Sequence, residues 1–279
     1  MHRTLVMLLL LWRLSAASVS SAVEPVAAKK PEPTLRLGDY TLQSGPINIP
    51  GIRSNASGLT YRPDTESLFV IVDYPESILE LDLRAKLKRK IVLDGFHDVE
   101  GIAWLREDRF AIVEEGRCVL SLLQLTPETT VIRPADVKQK VIQRRGGGNK
   151  GLEGLCYDAG NMQFFVVKEK RPRKIYRWAY PTEGPVPVEH PWDIEKNSLG
   201  LSDLSGIAFD RGTGHLLILS HESQQVVECT VDGRKVGTVL DLKKVPKAEG
   251  IALDRKGTLY ICSEPDLLYI YTRKPRSPR

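Results

Sequence analysis

Several chemistries are excluded by what this chain does not contain. Of its 279 residues only four are cysteine, and Cys118, Cys156, Cys229 and Cys262 are too far apart to form the closely spaced pairs of a metal knuckle. Histidine is nearly as scarce, at five, and no His or Cys set converges. There is no G-x-S-x-G elbow. Arg144–Gly151 (RRGGGNKG) lacks the GxxxxGK[ST] spacing of a phosphate loop, no helical pattern follows it, and it reads as a connection between strands. Ser220, His221 and Glu222 are consecutive, so on a strand they face alternate sides and form no triad.

Long apolar runs are missing as well. The stretch from Leu5 to Leu11 is shorter than a bilayer span and is interrupted by Trp12-Arg13. With Arg3 before it and Ser20-Ser21-Ala22 after it, it reads as an export signal cleaved near Ala22, with an uncleaved anchor as the rival. Residues 23–34, rich in Pro, Ala and charge, read as a flexible tether. Export permits disulfides, but each cysteine falls in a different repeat and is expected to act as a small buried hydrophobe.

The formal charge of +5 misleads until it is divided: the first 22 residues contribute +2 and the tail 273–279 contributes +4, which leaves the body at −1. A near-neutral body gives no electrostatic footprint for nucleic acid. The basic tail is expected to be a solvated terminus.

What the chain does contain is one short phrase, five times over. A small or acidic residue is followed by Gly, a branched aliphatic, any residue and usually an aromatic: SGLTY at 57–61, EGIAW at 100–104, EGLCY at 153–157, SGIAF at 205–209 and EGIAL at 249–253. The anchors Ser57, Glu100, Glu153, Ser205 and Glu249 are 43, 53, 52 and 44 residues apart. Repeats of this length, built of short apolar strands and turns, indicate a β-propeller.

The first repeat predicts strands at Ser57–Tyr61, Ser67–Asp73, Ser77–Leu83 and Leu87–Leu93. Asp-Arg-Gly and Asp-Arg-Lys-Gly after the inner strands of repeats four and five encode tight turns. The extra lengths at Thr126–Asp136 and Tyr180–Gly200 read as surface loops, the second because it holds Pro181, Pro185, Pro187 and Pro191. The fifth repeat ends one strand short, at Leu267–Thr272. The unassigned Leu35–Gln43 is expected to supply the missing strand and join the termini. The predicted fold is therefore all-β: a five-bladed propeller over residues 35–272, with the N-terminal strand completing the last blade.

Equivalent residues of successive blades face one axis, so Glu100, Glu153 and Glu249 would aim carboxylates at a common point, with Asn55, Asp98, Asp203 and Lys247 two residues before the anchors. Crowded carboxylates raise one another's pKa values unless a cation neutralises them. Oxygen donors without His or Cys suit a hard ion, Ca²⁺ before Mg²⁺ in an irregular site. The alternative is a hydrated ring of acids, or one paired with Lys150 and Lys247. The glycine after each anchor lets backbones crowd where blades taper. A second set, Asp73, Glu114, Glu169, His221 and Glu264, with Glu115 and Glu222 one place on, follows the second strands and suits ligand contacts or solvated turns.

The phrases SGLTY, DVEGIAW, NKGLEGLCYD, LSDLSGIAFDRGTGHLLILSHES and AEGIALDRKGTLYICSEP resemble the SdiA-regulated, YjiK-like family of bacterial envelope proteins over about residues 35–272. The resemblance implies a five-bladed propeller distantly related to NHL-repeat propellers, a bound calcium ion and no established enzymatic activity. It offers Glu100, Glu153 and Glu249 as positions for the ion. The expected function is an exported, calcium-binding scaffold for binding or sensing, periplasmic or outside the cytoplasmic membrane. It would act as a monomer, with an unknown protein or small-molecule ligand at a channel mouth, membrane association through the N-terminus and no nucleic-acid partner. The rival is a metal-dependent hydrolase, lactonase or phosphoesterase-like, with Asp98 or Asp203 as base.

Overall fold

Twenty strands, β1 to β20, form five sheets in the computed structural model, which describes residues 33–142, 151–170, 172–180 and 199–274. The expectations for the leader, most of the tether, the glycine-rich connection, the proline-bearing insert and the end of the basic tail lie outside these residues.

Setting aside β1 (Tyr40–Asn48), blade one runs β2 (Ala56–Arg62), β3 (Ser67–Val72), β4 (Ser77–Asp82) and β5 (Leu87–Leu93), each pairing antiparallel with the next. Blade two is β6 (Val99–Arg106), β7 (Arg109–Glu114), β8 (Val119–Gln124) and, beyond a short β9 (Val131–Ile132), β10 (Lys138–Val141). Blade three shows β11 (Leu152–Asp158), β12 (Gln163–Lys168) and β13 (Lys174–Ala179) among the described residues. Blade four is β14 (Gly206–Asp210), β15 (His215–Ser220), β16 (Gln225–Cys229) and β17 (Lys235–Asp241). Blade five is β18 (Ala248–Leu253), β19 (Leu259–Ser263) and β20 (Leu267–Arg273).

The second strand of a blade is covered on both faces by its neighbours, which is why SLFVIV in β3 and HLLILS in β15 are buried along their whole length. The outer β5 (LKRKIVL) alternates between exposed and buried instead. Five apolar clusters fill the five seams between blades. Phe69 meets Phe110 between blades one and two, with ring centroids 4.6 Å apart, and Val70 packs with Ala252 and Tyr260 between blades one and five. The predicted tight turns are held from within. Asp210 accepts from the backbone N–H of Gly212 and Thr213, both at 3.0 Å, and Asp254 accepts from those of Lys256 and Thr258, both at 2.8 Å. All four cysteines are buried and none forms a disulfide.

The ring closes as expected: β1 pairs antiparallel with β20, Tyr40 opposite Arg273 and Ile47 opposite Leu268. The strand begins later than Leu35, however. Arg36 takes a left-handed conformation (φ 56°) and Leu37–Asp39 forms a 3₁₀ turn. The period-two pair Leu35 and Leu37 is buried, but against the seam of blades four and five, where the Leu35 N–H donates to both Glu228 oxygens at 3.0 Å. The insert Thr126–Asp136 also differs from a plain surface loop. Its β9 pairs in parallel with β5, Val92 opposite Val131, and the Arg133–Asp94 ion pair (2.9 Å) fastens it over the edge of blade one.

Candidate functional site

The anchors are re-aimed by the backbone before their chemistry matters. Pairing of the first and second strands skips a residue between Ala56 and Gly58, between Val99 and Gly101, and between Ala248 and Gly250. The skipped residues are Ser57, Glu100 and Glu249. A bulge of this kind turns a side chain out of the regular alternation, here towards the axis. The residue two before the anchor bears the strain: φ is 63° at Asn55, 57° at Asp98 and 29° at Lys247.

The glycine after each anchor then closes the hub. A Cβ on Gly58 would fall 2.5 Å from the Glu100 carbonyl oxygen, and one on Gly101 2.4 Å from that of Glu153. One on Gly154 would fall 2.7 Å from Gly206 Cα, one on Gly206 2.6 Å from the Glu249 carbonyl oxygen, and one on Gly250 2.7 Å from the Leu59 nitrogen. Each blade touches the next, and the fifth touches the first. Beneath this ring the axis is plugged by Leu59, Ile102, Leu155, Ile207 and Ile251, around a void of about 10 Å³, the lower limit for one water. The two mouths of the propeller are therefore separate sites.

At the anchor mouth Glu100, Glu153 and Glu249 act on one another. Burial pushes Glu153 well above the usual carboxylate range, and Glu100, Glu115, Glu249 and Glu169 add to the rise. Glu100 is pushed up to about 9 by burial and then by the Asp73 carboxylate, against a hydrogen bond from Ser57. Glu249 is pushed up to about 8 by burial, partly offset by Lys247, whose ammonium lies 3.9 Å from Glu249 Oε1 and 2.6 Å from Glu264 Oε1. Among the described residues, Asp73, Asp98 and Glu100 bring one oxygen each within 4.8 Å of the others. The sequence offers Asp73 as a member of a wider set, and Asp98 as one beside the anchors and as a candidate base, without joining the two. Their union follows from the left-handed turn at Asp98, which no spacing rule reveals.

The outer ring also resolves. Equivalent positions after the second strands are Asp73, Glu115, Glu169, His221 and Glu264. The N–H groups of Asp73, Glu115, Glu169 and Glu264 donate to the carbonyls of Asn55, Asp98, Gly151 and Lys247. Blade two therefore contributes Glu115 rather than Glu114. Glu114 is fully buried, accepting from the His97 N–H at 3.2 Å and pairing with Arg117 at 3.1 Å. Lys170 joins Glu169 (3.0 Å) to Glu222 (2.5 Å) across blades three and four. Asp203 is fully buried and accepts from the Ser220 hydroxyl and, at 3.1 Å, the Glu222 N–H, so its oxygens are committed to structure. The Ser205 hydroxyl donates to the Ala248 carbonyl at 2.8 Å and is likewise occupied.

These features define a five-bladed propeller with an acidic, closed hub. The chain belongs to the SdiA-regulated family, whose pattern it matches over residues 34–272. Solved structures share the fold at low identity. They include the glutaminyl cyclase of Myxococcus xanthus (TM-score 0.56, 16% identity, covering 84% of this chain and 95% of that one). A gluconolactonase of Xanthomonas campestris is similar (TM-score 0.52, 14%, 86% and 92%), as is a luciferin-regenerating enzyme (TM-score 0.53, 12%, 82% and 95%).

Proposed function

We propose that the protein is an exported, calcium-binding propeller that serves as a scaffold for binding or sensing in the cell envelope. One observation carries the reading: the Asp73, Asp98 and Glu100 oxygens crowd within 4.8 Å of one another, with Glu153 and Glu249 in the same field. So many carboxylates facing one another at the hub are stable only if protonated or neutralised. Lys247 answers Glu249 and Glu264 and Lys170 answers Glu169, whereas among the described residues no ion pair reaches Asp73, Asp98, Glu100 or Glu153.

The donor set fits the ion. It is all oxygen, without histidine or thiolate, and irregular in its spacing, which suits the variable coordination of Ca²⁺ better than the strict octahedron of Mg²⁺. Asp73, Asp98 and Glu100 would hold it, and Glu153 and Glu249 would complete or neutralise the site. The bound ion would supply positive charge at the point where four blades present acids.

The hydrolase reading draws on the gluconolactonase among the structural neighbours, but that likeness bears on fold alone. Such an enzyme needs a base beside its metal. Asp203 is sealed in the structure, leaving Asp98, which the calcium reading already employs.

Calorimetric titration of the metal-free protein tests the proposal. One calcium site per chain is expected, lost in Glu100→Gln. At a calcium concentration a hundred times its Kd, stability should rise by about 2.7 kcal/mol. An absence of binding heat, together with superimposable melting curves in calcium and in chelator, would overturn it.

A further inference from the structure

We propose that the mouth opposite the acidic hub is a second binding site, a cup for a small anion with a flat apolar body. The fifth residue of the repeated phrase supplies its walls. Tyr61, Trp104, Tyr157 and Phe209 come from the inner strands of four blades, with Leu253 at the same position in the fifth. They line a cavity of about 510 Å³, within the range of small-molecule sites. Each ring packs one side against the seam cluster beside it. All four nonetheless remain partly exposed to the cavity, above an apolar floor of Leu59, Leu155, Ile207 and Ile251, and interiors packed only for stability leave few voids of this size.

The rim gives the ligand its sign. Arg211, on the turn after β14, places its guanidinium 5.3 Å from the centroid of the Trp104 ring. That contact joins blade four to blade two across the mouth, passing over blade three. Among the described residues no carboxylate lies within ion-pairing distance of Arg211, nor of Arg255 or Arg273, which line the same cavity. Lys256 reaches only Glu66, at 3.8 Å, and both of those side chains are largely exposed. The two acids of the lining, Asp210 and Asp254, are taken by their own turns, as described above. The cup is therefore cationic where a ligand would enter and aromatic where it would rest.

Recognition follows from the side-chain chemistry. A guanidinium fork pairs with a carboxylate, sulfonate or phosphate, while the aromatic walls of the cup stack against a flat apolar body. Trp104 is set in advance, since its Nε1–H donates to the Glu107 carbonyl at 2.8 Å. A preset wall lowers the ordering cost of binding. The plug at the axis keeps this cup apart from the carboxylates of the other mouth, so the inference does not depend on calcium.

The test uses two fluorescent probes of similar shape, the anion 1-anilinonaphthalene-8-sulfonate and the neutral N-phenyl-1-naphthylamine, titrated against the folded protein while the emission of the bound dye is followed. The anion is expected to saturate one site per chain and to bind at least about tenfold more tightly than the neutral dye. Arg211→Gln should erase that preference while leaving the neutral dye's affinity in place, and Arg211→Lys should restore part of it. Phe209→Ala should weaken both dyes, and chelator should change neither. Melting curves confirm that each variant is folded, and Arg211, on an exposed turn, can be replaced without disturbing a seam. Absence of a saturable site on the wild-type protein, or an undiminished preference for the anion in Arg211→Gln, would overturn the proposal.

Discussion

A single methyl group on Gly101 probes the hub more cleanly than removal of any carboxylate. The glycine has no need of a left-handed backbone, so alanine is conformationally acceptable there. By restricting the unfolded chain it would otherwise stabilise the protein by about 0.4–1 kcal/mol. The new Cβ, however, would lie 2.4 Å from the Glu153 carbonyl oxygen, 2.8 Å from Val113 Cγ2 and 2.9 Å from Leu155 Cβ. Two of those three atoms are backbone or directly attached to it, so blades two and three must separate. Overpacking of this kind costs about 1–3 kcal/mol, and the upper end applies where the obstacle cannot rotate away. After the unfolded-state gain, the net loss should be about 2 kcal/mol, or a fall in Tm of roughly 4–8 °C for a protein of this size. Gly212→Ala is the control, because its Cβ would make an ordinary 3.4 Å contact with Asp210 Oδ1. It should melt within about 2 °C of wild type. Thermal unfolding followed by circular dichroism measures both. A Gly101→Ala protein as stable as wild type would show that the blades do not meet at the axis as described.

Without metal, stability should depend on pH through the anchor acids. Their folded pKa values are raised, so the stability they contribute is fully present below the unfolded value of 4.5 and is lost as the pH rises through about 8 for Glu249 and about 9 for Glu100. Melts in chelator from pH 5 to 9.5 should therefore decline steadily and calcium should flatten the decline, whereas a profile level in chelator would contradict the shifts. Calcium binding should also release protons near neutral pH, measurable as a dependence of the binding heat on the buffer. Glu228→Ala strands the Leu35 N–H and removes the 2.7 Å contact to His215 Nδ1, all in a fully buried setting. A loss of about 3 kcal/mol is expected by chemical denaturation, and an unchanged midpoint would show that the N-terminal segment is not held there. Asp203→Ala leaves the Ser220 hydroxyl and the Glu222 N–H without their acceptor. It should cost about 1–3 kcal/mol in the same assay, and a variant as stable as wild type would reopen Asp203 as a free functional carboxylate.

The fold was legible because its cues are local and repeated. Leu87–Leu93 forms the strand predicted for it, and the missing strand of blade five was found by counting. The start of β1 was not legible, because Leu35 and Leu37 carry the period of a strand while their side chains serve a seam between blades. Neither was β9, whose two residues acquire strand geometry only through the edge of a blade some forty positions earlier. In the site, the anchors could be read from their spacing. The choice of Glu115 over its neighbour Glu114 depends on which side of the pleat each faces, and an acidic pair alone does not encode that. The aromatic cup went unread for a similar reason: a phrase ending in Tyr, Trp or Phe looks the same whether the ring enters a core or lines a cavity.

The pairing of β1 with β20 has a consequence for how the molecule comes into being. Residues 40–48 have no sheet to join until residues 267–273 arrive, so the last blade stays incomplete through nearly the whole of synthesis. A product cut short just before Leu267 would not be most of a propeller. It would leave β1 and the outer edge of β19 without their partner, the kind of surface along which incomplete β-chains adhere to one another.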